Sequence, residues 1–284
     1  MMQMRFYNEK PYFAGRKRVA RILILAACFV FLMILYDSPL ANGVQGAKTK
    51  TMPREGVCAH RGANSLYPEN TLPAFEEAIR RGAEMIELDV KYSKDKAMII
   101  LHDGTIDRTS NGQGRPVDWT FDELRQFDFG SWKGVQFAGT KIPTLAEVLD
   151  IVPPNVWVNI HMVGNVELGL EIADLVVKKG MEHQAFLATS PNVMQAVRER
   201  YPTFQFCNMD RQGGNVSAYV AKTIEWRCDF IQLTRLASPE EMEQLRSAGV
   251  RINYFGTNNK QTYDHLKSSG VDFPLVDDLP AVGR

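Results

Sequence analysis

The sequence predicts an α/β fold, a (β/α)8 TIM barrel with a long excursion after its second strand and a hydrophobic segment ahead of it. Three observations lead there. Short apolar runs alternate with amphipathic segments from Gly56 to the end of the chain, and strands separated by helices make parallel βαβ units. There are eight such runs, and they fill roughly 230 residues, near the ~250 usual for this barrel. No glycine-rich phosphate loop follows the first run, which leaves a doubly wound open sheet as the second choice.

The runs are Val57–Ala59, Met85–Val90, Val156–Met162, Ala185–Ala188, Phe204–Asn208, Phe230–Leu233, Val250–Phe255 and Phe273–Val276. Helical periodicity falls at Leu72–Arg81, Val166–Lys179, Asn192–Arg200, Glu240–Ala248 and Gln261–Ser268. Asn70 or Thr71 stands where the first helix needs a side-chain acceptor, and Ser238-Pro239-Glu240-Glu241 opens another. Gly82, Gly180, Gly249 and Gly270 follow helix ends, where a left-handed residue closes the last turn. One run breaks the alternation. Ala97–Leu101 follows the second strand through only the connection Ser93-Lys94-Asp95-Lys96, too short for a crossover helix, so it turns back as a hairpin. With Lys94 and Asp95 at the tip, the register sets Asp89 opposite Ile100 and Glu87 opposite His102. A polar excursion from Asp103 to Ile142 follows, and a loop of that length in a compact barrel points to function.

The 284 residues are 45% hydrophobic and 23% charged, a globular composition without repeats. Formal net charge is +0, unevenly spread. Six basic residues precede Asp37 against one acid, Glu9, so the body is acidic. An acidic body with no basic stripe excludes nucleic acid as the expected partner. The basic segment, 1–21, leads into the uncharged run ILILAACFVFLMILY at 22–36. That run fits a membrane anchor or the core of a cleaved signal, with Ala41-Asn42-Gly43 as a small-x-small site. Either way, basic residues ahead of the run place the body on the non-cytoplasmic side, membrane-anchored or exported. Residues 37–54 read as a tether and 55–284 as the barrel domain. Cys28 falls in the apolar run, while Cys58, Cys207 and Cys228 lie in or beside strand-like runs and read as buried free thiols.

In a parallel barrel the C-terminal ends of the strands face the active-site mouth. His60 and Arg61 end the first strand, Glu87 and Asp89 share one face of the second, the hairpin register brings in His102, and His161 ends the third. Two carboxylates on an otherwise apolar strand are costly without a cation, and they suit a hard divalent ion such as Mg²⁺ or Ca²⁺. Flanking histidines shuttle protons near neutral pH, and an arginine offers a fork to phosphate oxygens. The set describes metal-assisted phosphoester chemistry. His161, in WVNIHMVG, reads either as a satisfied core histidine or as part of this set.

The motifs His60-Arg61-Gly62, Pro68-Glu69-Asn70-Thr71, Ala74-Phe75, Ile86-Glu87-Leu88-Asp89-Val90, Ser93-Lys94-Asp95, His102-Asp103, Asp107-Arg108-Thr109 and Ile142-Pro143-Thr144-Leu145 occur in that order. Together they resemble the glycerophosphodiester phosphodiesterase family over most of Gly56–Pro280. The resemblance implies a barrel with a family insertion at about 103–142, and a divalent metal on Glu87 and Asp89. It implies His60 and His102 as the acid/base pair, and glycerophosphodiesters as substrates, cleaved to an alcohol and glycerol 3-phosphate. Three positions depart from the family pattern. A Glu-x-Lys on the third strand is His161-Met162-Val163 here, a Trp-Thr-x-Asn becomes Tyr254-Phe255-Gly256-Thr257-Asn258, and a Thr-Asp becomes Val276-Asp277. By this resemblance His161 becomes the third metal ligand, which tilts the preference toward Mn²⁺ or Zn²⁺.

The expected function is therefore a metal-dependent phosphodiesterase with Arg61 on the phosphate. Two alternatives stand beside it. One is a lysophospholipid-directed enzyme at the membrane, favoured by an apolar rim of Trp119, Phe127, Phe129, Trp132 and Phe137. The other is a non-catalytic barrel that binds phosphorylated ligands.

Overall fold

The computed structural model describes residues 51–162 and 164–284. The segments expected at 1–21 and 22–36, most of the tether, Cys28 and Val163 lie outside the described residues. Among the described residues, no helix is long and apolar enough to cross a membrane.

Nine strands form one sheet: β1 (Cys58–His60), β2 (Met85–Tyr92), β3 (Met98–Ile100), β4 (Trp157–Met162), β5 (Ala185–Thr189), β6 (Gln205–Asn208), β7 (Phe230–Leu233), β8 (Arg251–Thr257) and β9 (Phe273–Val276). Their order is β1-β9-β8-β7-β6-β5-β4-β2-β3, and a further β1–β2 pairing closes the ring. All of these strands except β3 run parallel, so the barrel has the eight strands that the alternation predicts. The helices are α1 (Leu72–Arg80), α2 (Phe121–Leu124), α3 (Leu145–Ile151), α4 (Val166–Lys178), α5 (Pro191–Arg200), α6 (Val216–Glu225), α7 (Pro239–Ser247) and α8 (Lys260–Ser268).

The two-residue period of a strand sorts side chains into layers. On β2, Ile86, Leu88 and Val90 join the core between sheet and helices, as do Val158, Ile160 and Met162 on β4. The alternate residues point into the barrel. Trp157, Met85 and Cys58 join Phe186, Phe230 and Phe273 to floor it. Phe186 stacks on Phe230 at 3.8 Å between ring centroids, and Arg251 lies over the Trp157 ring at 4.7 Å. Above the floor come Asn159 and Glu87, in register with each other, and then His161 and Asp89, again in register. The floor closes one end, and Glu87, Asp89 and His161 meet at the C-terminal mouth. Cys58, Cys207 and Cys228 are buried free thiols, as expected, and burial pushes each thiol up, Cys228 to about 12.

The β2–β3 hairpin corrects the expected register by one residue. Val90 pairs with Ile100, Lys91 with Ile99 and Tyr92 with Met98. The loop has three residues, Lys94 to Lys96, and not two, because Lys96 takes a left-handed φ of 60° and lets Ser93 pair with Ala97. The Ser93 hydroxyl fastens this turn by bonding Asp95 and the Ala97 amide. Glu87 therefore does not face His102. After His102 the chain runs to Thr144, which bridges back to Ile99, and the stretch between them holds its own small core of Ile106, Leu124, Phe129 and Ile142 against Ile99 and Leu101.

Candidate active site

His60, the last residue of β1, is buried. Its Nδ1 lies 2.6 Å from Asp277 Oδ1 and its Nε2 3.9 Å from Glu87 Oε2. Asp277, just past β9, also accepts from Asn64 Nδ2 at 2.7 Å and Asn258 Nδ2 at 3.0 Å. Burial works to lower the His60 pKa, but the Glu87 charge and the Asp277 bond outweigh it and raise it. Burial works the other way on Asp277, and the same His60 contact with the two amides holds its carboxyl well below the usual range.

Glu87 and Asp89 project from β2 with almost no exposure. Burial first, then the neighbouring Asp89 charge, push Glu87 up to about 7. Burial also works upward on Asp89, yet the His161 bond and charge and the Asn70 amide bring it to about 2. One environment thus splits two carboxyls, because two like charges so close cannot both ionise freely without a cation. His161 Nδ1 is 2.9 Å from Asp89 Oδ1 and 4.0 Å from Glu87 Oε1. Its side chain is 25% exposed, so it lines the mouth and is not a core histidine. One ligand atom from each of Glu87, Asp89 and His161 can be chosen so that all lie within 4.8 Å of one another. That span is about twice a metal–ligand bond of ~2.1–2.4 Å, and the mixed oxygen and imidazole set fits a divalent ion.

Arg61 follows β1 with a left-handed φ of 56°. This turns its amide onto Glu87 Oε2 at 3.1 Å, and its guanidinium bonds Glu69 at 2.8 Å and lies 3.5 Å from Asp89. Asn70 and Thr71 both precede α1, and the structure separates their roles. Thr71 occupies the cap position, but its hydroxyl donates to Pro68 O and makes no cap bond. Asn70, also left-handed at 56°, turns into the site and donates to Asp89 Oδ2 at 2.9 Å.

His102 lies just beyond β3, 41% exposed, with Nδ1 2.7 Å from Asp103 Oδ1. The register shift removes the cross-strand route that was expected to bring it to Glu87. A chain of charges connects it instead. Arg108 makes paired bonds of 2.6 and 3.0 Å to Asp103 and two of 2.8 Å to Glu69, which in turn holds Arg61. The Arg108 bond is the main reason the Asp103 carboxyl stays well below the usual range. Burial raises Glu69, but Arg108 and Arg61 outweigh it.

The structure thus brings His60, Arg61, Glu87, Asp89 and His161 together, with His102 reached through side chains. The sequence singled out none of Asn64, Glu69 or Arg108 as a site residue and offered Asn70 only as a helix cap, although Glu69, Asn70 and Arg108 stand in the quoted motifs. Of the five aromatics proposed as an apolar rim, Phe129 is buried, Trp119 and Phe127 pack on the same small core, and Phe137 meets Tyr67. Only Trp132 among them is largely exposed.

The sequence pattern described as the glycerophosphoryl diester phosphodiesterase family matches residues 60–280. The chain is 33% identical over 234 residues to YhdW of Bacillus subtilis, provisionally named a glycerophosphodiester phosphodiesterase, covering 79% of this chain and 94% of that one. The fold matches a glycerophosphodiester phosphodiesterase from Agrobacterium tumefaciens at a TM-score of 0.69 and 28% identity, over 80% of this chain and 99% of the other. It also matches a phosphodiesterase from Oleispira antarctica, solved with the product sn-glycerol-3-phosphate, at a TM-score of 0.69 and 23% identity, over 80% and 94%. The mouth just described sits within the matched residues, and the chain belongs to the glycerophosphoryl diester phosphodiesterase family, a family of phosphoric diester hydrolases.

Proposed function

We propose that this protein hydrolyses glycerophosphodiesters to an alcohol and glycerol 3-phosphate in a reaction that requires a divalent metal ion. The observation that carries this reading is the cluster of Glu87, Asp89 and His161 on neighbouring strands, flanked by the His60–Asp277 pair. Glu87, Asp89 and His161 would hold the ion, which when bound supplies positive charge to the phosphoryl oxygens. Mg²⁺ and Ca²⁺ suit the carboxylates, and the imidazole favours Mn²⁺ or Zn²⁺.

The remaining work falls to the chain itself. Asp277 fixes the His60 ring by Nδ1, which leaves Nε2 to take or give a proton at a reacting oxygen. Asp103 does the same for His102, so one histidine acts as base and the other as acid. Arg61 contacts the phosphate, with its fork aligned by Glu69. A hydroxyl beside the phosphate in the substrate would attack phosphorus intramolecularly, at a favourable effective concentration, losing its proton to one histidine while the departing alcohol takes a proton from the other. Water would then open the cyclic phosphate to glycerol 3-phosphate. The sequence retains His60, His102, Glu87 and Asp89, which argues against a purely binding role. The aromatics packed into the small core after β3 leave the lysophospholipid reading without a continuous apolar rim. The N-terminal run at 22–36 would anchor the barrel to a membrane or export it, on the non-cytoplasmic side.

Chelation followed by metal add-back across a panel of glycerophosphodiesters tests this. Activity should vanish with chelator and return with one or more divalent ions. Full activity in excess chelator would rule out metal dependence, and no cleavage of any diester under all ions would sink the assignment.

A further inference from the structure

A cavity of about 480 Å³ opens beside His161, across the ends of β4, β5 and β6. Met162, Met209 and Pro191 give it apolar walls, and Asp210 and Arg211 stand at its polar end. Arg211 differs from Arg61 and Arg108 at the mouth. Arg61 is held by Glu69 and Asp89, and Arg108 by Glu69 and Asp103. Arg61 Nε is also buried without a hydrogen-bond acceptor, but Asp89 lies 3.5 Å from it, whereas Arg211 has no ion-pair partner among the described residues and its Nε likewise lacks an acceptor. A buried donor on a cation is normally satisfied, so a missing acceptor at a cavity wall marks the place of a ligand oxygen.

The loop that carries Arg211 is built to hold it there. The buried Asn208 bonds Thr223 Oγ1 at 3.0 Å, and its carbonyl accepts the Tyr219 hydroxyl. Asn208 Oδ1 takes the Asp210 amide at 2.9 Å, Asp210 Oδ1 takes the Gln212 amide at 3.2 Å, and Arg211 O takes the Gly214 amide at 2.9 Å. Gln212, Gly213 and Gly214 then run left-handed at φ of 49°, 62° and 89°. A non-glycine residue in that region is strained, and these bonds maintain it.

We propose that Arg211 is a specificity-determining contact for a substrate oxyanion, and that the cavity beside His161 receives one of the two groups esterified to the phosphate. The inference rests on the diesterase reading. A guanidinium fork with no carboxylate partner among the described residues suits a phosphoryl or carboxylate group. The oxyanion is either the phosphoryl group itself or an acid carried by the leaving alcohol.

The test uses the full chain, calorimetric titration with glycerol 3-phosphate, and kinetics on glycerophosphocholine and glycerophosphoserine. Arg211→Gln should weaken glycerol 3-phosphate binding about 10-fold or more with an unchanged melting temperature. Arg211→Lys, which keeps the charge and the fold but loses the fork, should recover part of that loss. A rise in KM for both esters with kcat little changed assigns Arg211 to the phosphoryl group. A rise confined to the serine ester assigns it to the leaving-group carboxylate. Unchanged glycerol 3-phosphate affinity together with unchanged KM for both esters in both variants overturns the contact. If the parent cleaves both esters and Arg211→Gln cleaves them equally well, the contact falls and the diesterase reading stands. If binding depends on Arg211 but the parent cleaves neither ester under any metal, the contact stands and the reading falls.

Discussion

His60 and His102 each hold an aspartate through Nδ1, at 2.6 and 2.7 Å, and yet they sit in different surroundings. The His60 side chain is 11% exposed, set between Glu87 and the edge of Phe255, whose ring centroid is 5.2 Å away. Its aspartate is held by two asparagine amides. The His102 side chain is 41% exposed, on a loop, and its aspartate is held by an arginine. The same bond is electrostatically stronger where water is excluded. Pair geometry alone therefore does not set the strength of a dyad. At His60 the buried Glu87 charge and the Asp277 bond raise the basicity of the ring, and at His102 the aspartate holds the ring's orientation.

The largest expected effect is on turnover. His60→Ala and His102→Ala should each lower kcat by about 10² or more with the melting temperature preserved, as for acid/base groups. Wild-type turnover in either variant, on a diester that the parent cleaves, would remove that histidine from the mechanism. The aspartates sharpen the contrast. Asp277→Asn should cost about 10–100-fold and move the His60 limb of the pH–rate profile to lower pH, since the variant loses a charge that raises the ring's pKa. Asp103→Asn should cost only about 3-fold, because water screens that pair. Equal losses would mean that burial does not distinguish the two.

A smaller effect is on stability. Glu87 titrates higher in the folded chain than in the unfolded one, so its contribution is full below about 4.5 and is lost as the pH rises toward 7. Thermal melts of the chelated protein should therefore show stability declining across that window, and Glu87→Gln should flatten the decline. A parent and variant with parallel pH dependence would show that Glu87 ionises freely despite its burial.

Much of this was legible in the sequence, for identifiable reasons. The two-residue period of β2 and β4 sets Glu87, Asp89 and His161 on the inner face, and apolar neighbours mark both strands as buried. The hairpin register was misread because Lys96 adopts a left-handed conformation that nothing in Lys-Asp-Lys announces. That single residue carries His102 away from Glu87. The alternation requires crossover helices where α3 and α6 lie but did not set their bounds, although Thr144 with Glu147 forms a capping box and Asn215 caps the other. Both signals lie next to loop-like composition that hides them. Asn70 could not be told from Thr71 as a cap, since both are short polar residues before a helix. Only the fold shows that Asn70 turns to Asp89. The charge chain from His102 to Arg61 is completed only where Arg108 meets Glu69, 39 residues away in sequence, so no local pattern encodes it.

The third histidine, His161, pairs with Asp89 in the same way, and it decides whether the carboxylates form an ion site. Calorimetric titration of Mn²⁺ and Mg²⁺ into the parent, His161→Ala and His161→Glu, alongside thermal melts, tests this most directly. With His161 as a ligand, Ala should weaken Mn²⁺ binding about 10-fold or more at an unchanged melting temperature, and Glu should retain binding and shift preference toward Mg²⁺. Unchanged Mn²⁺ affinity in His161→Ala, with a large fall in melting temperature, would show that His161 supports the barrel and holds no metal.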